Sequence, residues 1–380
     1  MGNQIRNFAE HNIYMRLALR LAARAVGDTS PNPVVGAVIV KRGRIIGQGY
    51  HHQAGLAHAE VEALRQAGRR SRGATMYVTL EPCQHTGRTP PCCDAVVRAG
   101  IRRVVMAMKD PNPITNGRGI ARLRRAGVQV ATGVLEREAR RLNAPFAKAI
   151  TAKMPWVIAK IAQSLDGKIA TRTGDSRWIS SAASRAFSHQ LRRQVDAVLV
   201  GVKTVLRDNP RLTARGPQTP ARAGRPIKVI VDSRLRTPLS SRCLSDAFPT
   251  LTIMATTQRS TATHAPFVRR RGIEVLVFPP SRGRVPLRRL FRELVRRYQI
   301  MSVLLEGGGE VLASALADRL VDRLVWVIAP LIIGGRDSPS AVGGAGIQRL
   351  AQAIRLRDVT LRRLGPDLVL DASVVYPRRR

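Results

Sequence analysis

Apolar residues recur at helical spacing over residues 13–26 and stop at Thr29-Ser30-Pro31-Asn32-Pro33, a breaker run. Residues 34–40 are almost continuously apolar and read as a buried strand, with 44–49 as its hairpin partner. His58 opens a short helix predicted over 59–67, and a strand over 75–80 delivers Glu81-Pro82-Cys83. Residues 92–100 have helical character behind Pro90-Pro91, with Gly100 as the stop. A strand over 103–108 ends at Asp110-Pro111-Asn112-Pro113, and Gln129-Val130 begins a last short one. Strands alternating with helices predict a three-layer α/β domain.

Residues 142–155 hold two prolines and basic residues and read as a joint, giving one domain over 1–150 and another over 151–380. Beyond it strands recur at 156–161, 197–200, 227–231, 251–255, 274–278 and 302–305, with helical stretches between, so a second α/β domain is expected. The 380 residues suffice for two domains with sizeable cores. The segment 215–226, rich in Pro, Arg and Gly, reads as an exposed loop.

Composition changes this picture in one respect, a formal net charge of +39. Such a charge binds polyanions non-specifically. The arginines, however, are spread over both halves, and aromatics make up only 4% of residues, leaving few platforms for stacking bases. Arginine greatly outnumbers lysine, a pattern that nucleotide bias at arginine codons produces without any partner. Nucleic-acid binding is therefore expected only as a side effect. No apolar run reaches the roughly 18–20 residues of a membrane span, and residues 1–6 lack a signal-peptide apolar core. With four cysteines, two of them candidate ligands, no disulfide framework is expected, and the cytoplasm is the expected compartment.

The chemistry is concentrated in His58-Ala59-Glu60, Pro82-Cys83 and Cys92. One imidazole and two thiolates supply three positions of a zinc site, leaving a fourth for water, whose pKa falls to roughly 7 when bound. Glu60, two residues past the histidine, is placed to take that water's proton and pass it to a leaving amine. The layout resembles that of the zinc-dependent nucleobase deaminases. Those acting on nucleic acid place two residues between their cysteines, whereas here Gln84-His85-Thr86-Gly87-Arg88-Thr89-Pro90-Pro91 intervenes. That gap requires a loop and puts Cys92 at a helix N-terminus, where the dipole favours thiolate. Cys93 is the competing ligand; His85, also in the loop, is surplus to a completed set.

Extended outward, the motif becomes more specific. Pro31-Asn32-Pro33-Val34-Val35-Gly36, Gly49-Tyr50-His51, His58-Ala59-Glu60-Val61-Glu62-Ala63-Leu64 and Tyr77-Val78-Thr79-Leu80-Glu81-Pro82-Cys83 stand in order, followed by Gly87-Arg88-Thr89-Pro90-Pro91-Cys92 and Asp110-Pro111-Asn112-Pro113. Together they resemble the deaminase half of the bifunctional riboflavin-biosynthesis deaminase/reductases. Ser164-Leu165-Asp166-Gly167-Lys168, Ser176-Arg177-Trp178-Ile179-Ser180, Thr204-Val205-Leu206-Arg207-Asp208-Asn209-Pro210, Leu304-Leu305-Glu306-Gly307-Gly308-Gly309 and Gly334-Gly335 resemble the reductase half. The resemblance spans almost the whole chain. It implies a cytidine-deaminase-like α/β/α domain and a dihydrofolate-reductase-like α/β domain. It also implies hydrolysis of an exocyclic amine of the diamino-hydroxy-phosphoribosylamino-pyrimidine, then NADPH reduction of the ribosyl group to ribityl. No strand-G-x-G-x-x-G-helix unit is present, in keeping with a reductase that is not a Rossmann dehydrogenase.

Residue roles follow. Glu60 is the proton shuttle; Asn32, a rigid amide between two prolines, is suited to hold the ring; Arg88 in the inserted loop is a candidate phosphate donor. By resemblance His51, Asp110 and Asn112 touch the sugar-phosphate, although Asp110 and Asn112 also read as ordinary turn residues. By resemblance Ala162, Trp178, Thr204, Asp208, Ser233 and the loop 308–314, with Gly308 and Gly309, line the NADPH site, while Ser176, Arg192, Leu212, Arg215 and Glu306 hold the substrate. Arg192 and Arg215 make physical sense as bidentate phosphate grips. Lys203 and Arg207 depart from the family, which has small residues there; they either grip the extra phosphate of NADPH or crowd the site. The resemblance also suggests a homo-oligomer. The rival readings are a zinc deaminase of nucleic acid with a basic accessory domain, and a deaminase whose reductase half is impaired.

Overall fold

The computed structural model describes residues 2–87, 90–215, 226–244, 250–258 and 265–377. They form two compact units, Met1–Met154 and Pro155–Arg380. In the first, the order is α1 (Gly2–Ala23), β1 (Gly36–Lys41), β2 (Arg44–Tyr50), α2 (Ala59–Ala67), β3 (Thr75–Leu80), α3 (Cys92–Arg98), β4 (Arg103–Met108), α4 (Arg118–Arg125), β5 (Gln129–Thr132), α5 (Glu136–Leu142) and α6 (Ala144–Ala152). The strands make one sheet in the order β2-β1-β3-β4-β5, parallel from β3 to β5.

Glycines set how closely the helices lie on this sheet. A Cβ on Gly36 would stand 2.1 Å from the Ala18 carbonyl oxygen of α1. One on Gly47 would stand 2.2 Å from the Ala63 carbonyl oxygen of α2, and one on Gly49 would stand 2.7 Å from the Ala63 nitrogen. Gly49 is opposite Ala37 in the β1–β2 ladder and Gly36 opposite Tyr50. Successive residues of a strand face opposite ways, so α1 and α2 cover opposite faces and the layers are α/β/α. On α2 the small residues Ala59, Ala63 and Ala67 recur every fourth position and are buried. The starts of β1 and the ends of β2, β3 and β4 share one edge of the sheet.

The expected joint at 142–155 is mostly helical. Pro145 lies in the first turn of α6, where a proline's missing N–H leaves no bond unmade.

The second unit runs β6 (Trp156–Ser164), α7 (Ala182–Arg193), β7 (Ala197–Gly201), α8 (Val202–Asp208), β8 (Ile227–Val231), β9 (Thr252–Thr257), α9 (Ala265–Arg270), β10 (Glu274–Phe278), α10 (Leu287–Tyr298), β11 (Ser302–Glu306), α11 (Gly309–Ala317), β12 (Arg323–Ala329), β13 (Arg355–Leu364) and β14 (Asp367–Val375). Nine strands order as β10-β9-β8-β7-β11-β6-β12-β14-β13. The pairs from β10 to β12 are parallel, and their strands are largely apolar and buried, as both-face coverage demands. β14 and β13 close the sheet as an antiparallel hairpin, which the sequence reading did not anticipate. β13 is exposed along almost its whole length. Of the loop expected at 215–226, residues 216–225 lie outside the described residues, and Arg215 is exposed.

Candidate active sites

His58 has extended backbone and caps α2, its carbonyl accepting the Glu62 N–H at 3.1 Å. Cys83 leaves the end of β3, and Cys92 is the first residue of α3 behind Pro91. Three elements thus converge: the ligand atoms of His58, Cys83 and Cys92 all lie within 4.8 Å of one another. His58 Nδ1 is 2.9 Å from Cys92 Sγ and 3.7 Å from Cys83 Sγ, and the Cys92 N–H donates to Cys83 Sγ at 3.3 Å. Cys92 and His58 hydrogen-bond to Cys83 and hold its thiol well below the usual range, against the opposing effect of burial. Sharing that proton, and burial, push Cys92 up. The hydrogen bond to Cys83 raises His58, with burial opposing. An imidazole nitrogen and two sulfurs at this separation fit zinc. The competing Cys93 is turned elsewhere: its Sγ donates to the Pro82 carbonyl at 3.3 Å, and burial raises its thiol to about 12.

Glu60 faces inward from the first turn of α2 and is 3% exposed. Burial raises its carboxyl to about 7, against the pull of His58. That is the range in which one carboxyl both takes and returns a proton. Asn32 Nδ2 lies 3.0 Å from His51 Nε2, while His51 Nδ1 lies 3.1 Å from the Ala57 carbonyl oxygen. A carbonyl only accepts, so the His51 proton sits on Nδ1 and Nε2 accepts from Asn32. Burial lowers the His51 pKa, which keeps the ring neutral. His51 meets the His58 ring edge-on, centroids 5.1 Å apart, so Asn32, His51 and the ligand set form one cluster. Asp110 and Asn112 follow β4; Asp110 Oδ1 accepts the Asn112 N–H at 2.8 Å and Asn112 Oδ1 that of Ile114 at 3.1 Å. Burial raises Asp110 to about 6. Arg88 lies outside the described residues.

In the second unit one cavity of about 1170 Å³ is lined by Ala162, Trp178, Thr204, Asp208, Ser233, Gly308 and Gly309, and by Ser176, Arg192, Leu212, Arg215 and Glu306. Each of the residues expected there singly is brought to this cavity; of 308–314, expected as a loop, residues 309–314 instead form the first turns of α11, and Ala313 does not line the cavity. Its floor is the turn from β11 to α11. Gly307 and Gly308 have φ of 75° and 79°, conformations that favour glycine. A Cβ on Gly309 would stand 2.8 Å from the Ser340 carbonyl oxygen. Thr204 abuts the turn from α8. Ser176 Oγ donates to Asp208 at 3.1 Å, and Arg177 donates to the Asp208 carbonyl. Trp178 is 68% exposed, with the Arg185 guanidinium 4.5 Å from its ring centre. Twelve lysines and arginines line the cavity against three carboxylates, an environment that fits the phosphates of NADPH and of a phosphorylated substrate.

The expected phosphate grip of Arg192 is a departure. Its Nε and Nη2 donate to Glu306 at 2.8 and 2.6 Å, and Nη1 donates to the Thr213 carbonyl at 3.0 Å, so the fork is already engaged. Burial favours the neutral Glu306 carboxyl, but Arg192 outweighs it and holds the pKa below the usual range. Lys160 is the register partner of Glu306 on β6, and burial lowers its pKa. Arg215 remains exposed at the cavity. Lys203 and Arg207 are exposed on α8 at the same cavity.

The model for the RibD C-terminal domain matches residues 155–370, and that for the cytidine and deoxycytidylate deaminase zinc-binding region matches 9–108. The riboflavin biosynthesis protein RibD of Aquifex aeolicus is 45% identical over 358 residues, covering 94% of this chain and 96% of that protein. The chain belongs to the RibD family. RibD of Escherichia coli K12 is 41% identical over 94% of the chain and 97% of its own length. Among solved structures, RibD of Acinetobacter baumannii superposes with a TM-score of 0.88 at 36% identity, covering 97% of this chain and 99% of that one. The Thermotoga maritima diaminohydroxyphosphoribosylaminopyrimidine deaminase/5-amino-6-(5-phosphoribosylamino)uracil reductase gives 0.83 at 34% identity, covering 97% and 100%. As a RibD enzyme the chain acts in riboflavin biosynthesis as both deaminase and reductase, with zinc and NADPH as cofactors. No helix among the described residues is long and apolar enough to cross a membrane.

Glu81 has no role in the sequence beyond its motif, while Asp166, at a strand end, reads as structural; in the fold each carboxylate ties a neighbouring loop. Ser164 Oγ and the N–H groups of Ile333 and Gly334 hold Asp166 down to about 2. Apart from Ser164, two residues from Asp166, nothing local in the sequence signals these contacts, because the partner N–H groups belong to the backbone of distant segments.

Proposed function

We propose that the two reactions are divided between residues 1–150 and 151–380, with Glu60 as the proton carrier of the first and the β11–α11 cavity as the seat of the second. In the deaminase half, zinc held by His58, Cys83 and Cys92 would supply a water acidic enough to attack at neutral pH. Glu60 takes a proton from the attacking water and returns one to the departing amine. Asn32 and neutral His51 orient the pyrimidine and its sugar; Asp110, Asn112 and Arg88 contact the phosphoribosyl part. The observation that carries this reading is the convergence of His58, Cys83 and Cys92 within 4.8 Å of one another, with the buried Glu60 carboxyl two residues past the first of them.

In the reductase half NADPH would supply the hydride. Ala162, Trp178, Thr204, Asp208, Ser233, Gly308 and Gly309 hold the cofactor. Ser176, Leu212, Arg215 and Glu306 hold the substrate, and Arg192 acts through Glu306. The exposure of Lys203 and Arg207 supports a role at the rim of the cavity over one that crowds its interior, and so supports a working reductase over an impaired one. The exposed edge strand β13, with Val359 and Leu361 52% and 64% exposed, supports self-association as a homo-oligomer. The substrate is a small phosphorylated pyrimidine, nucleic acid is met only through net charge, and the compartment is the cytoplasm. One assay tests the division: ammonia release and NADPH oxidation are followed separately on the diamino-pyrimidine ribosyl phosphate. Glu60→Gln should abolish both, and supplying the deaminated intermediate should restore oxidation alone. Oxidation that fails even then would remove the reductase assignment.

A further inference from the structure

β3 and β4 are parallel neighbours with Leu80 opposite Met108, so the chains leaving them run side by side. Glu81 is the first residue past β3, two before Cys83, and is 3% exposed. Its Oε2 accepts the N–H of Asp110 at 3.2 Å and of Gly117 at 3.0 Å, and its Oε1 accepts the N–H of Ile120 at 3.1 Å. These contacts bracket the segment 110–117, one at its start and two where it enters α4. Inside the bracket Asp110 and Asn112 fold the chain on itself. The packing leaves no slack: a Cβ on Gly119 would stand 2.1 Å from the Pro82 carbonyl oxygen, and that oxygen also accepts from Cys93 on α3.

A carboxylate only accepts, and here its two oxygens meet three donors. An amide of the same shape carries one oxygen and one NH₂, so in either orientation at least one N–H loses its acceptor. Buried donors left unpaired are costly, and the loop gives before they are.

We infer that Glu81 is a positioning residue for deamination, locking the 110–117 loop to the strand end that carries Cys83 and so fixing the substrate's phosphoribosyl contacts in register with the ligand set. The inference rests on reading Asp110 and Asn112 as substrate contacts.

Glu81→Gln in the full chain tests it. The KM for the diamino-pyrimidine ribosyl phosphate should rise about tenfold or more, with kcat changed less than about threefold. Bound zinc per chain should stay at the wild-type value, and NADPH oxidation on supplied intermediate should be unchanged, which verifies that the chain is folded. Amide exchange at Gly117 and Ile120 should accelerate. Glu81→Asp, which keeps both acceptors one methylene short, should raise KM to a lesser degree and carries the test if Glu81→Gln is insoluble. Zinc lost in proportion to activity would overturn the proposal, since Glu81 would then serve the metal strand itself. An unchanged KM would overturn it too. Asp110→Asn and Asn112→Ala, measured alongside, separate the causes: if they also leave KM unchanged, the loop's substrate role falls; if they raise it, only the clamp falls.

Discussion

Arg192 on α7 and Glu306 at the end of β11, 114 residues apart, join through two parallel N–H···O bonds of 2.8 and 2.6 Å in a nearly dry setting. Removing one member of such a pair strands the other charge, at a cost of about 3–5 kcal/mol. Arg192→Met should therefore lower the thermal midpoint of the reductase transition by several degrees and raise the KM for the reductase substrate. Deaminase turnover should be retained. A midpoint within one degree of wild type would show that the pair is not coupled to stability.

Cys83→Ser and prolonged chelation remove the same ligand set by different routes. Both should abolish ammonia release, while NADPH oxidation on supplied intermediate persists, because no ligand of the set lies in the reductase cavity. Zinc content by atomic absorption, read against the two rates, checks it.

Glu60→Gln keeps shape and burial but carries no proton at neutral pH. Deamination should fall about 10²–10⁴-fold, the usual worth of a positioned acid–base group, with zinc still bound. A fall of less than about tenfold would mean that another group carries the proton.

Lys203 and Arg207 line the cavity from its exposed side. Their joint replacement by alanine should raise the KM for NADPH a few-fold at low ionic strength and flatten its salt dependence. A rise in kcat instead would mark them as obstructions.

Asp110 is an acid whose pKa burial raises from 3.8 to about 6. The folded state therefore prefers the proton, and the stabilisation is full below the unfolded pKa and lost as pH rises through about 6. By linkage the loss is at most ~3 kcal/mol. Asp110→Asn, which keeps the acceptor for Asn112, should approach wild type only as pH falls toward the unfolded value of 3.8 and exceed its thermal midpoint at pH 8. Parallel midpoints across that range would count against an ionised, buried Asp110.

The ligand set was legible because zinc demands residue types that few other roles combine at such spacing, and α2, β3, β4, β8 and β10 because their periodicity and breakers agree. β13 was not legible. Both of its faces are exposed, so its arginines and leucines follow no buried alternation. The apolar run of β12 has no period to separate strand from helix. Arg192 looked like a phosphate grip because the sequence does not display a carboxylate 114 residues away. Glu81 was silent for a related reason: its partners are main-chain N–H groups, identical at every position except proline.

Gly47 and Gly49 carry no chemistry, yet α2, with His58 at its head and Glu60 in its first turn, rests against them at a separation no methyl group fits. An exhaustive substitution library scored for deamination would rank these two positions with the ligands themselves. Loss of function there would mark a distance between two backbones, not a contact with substrate.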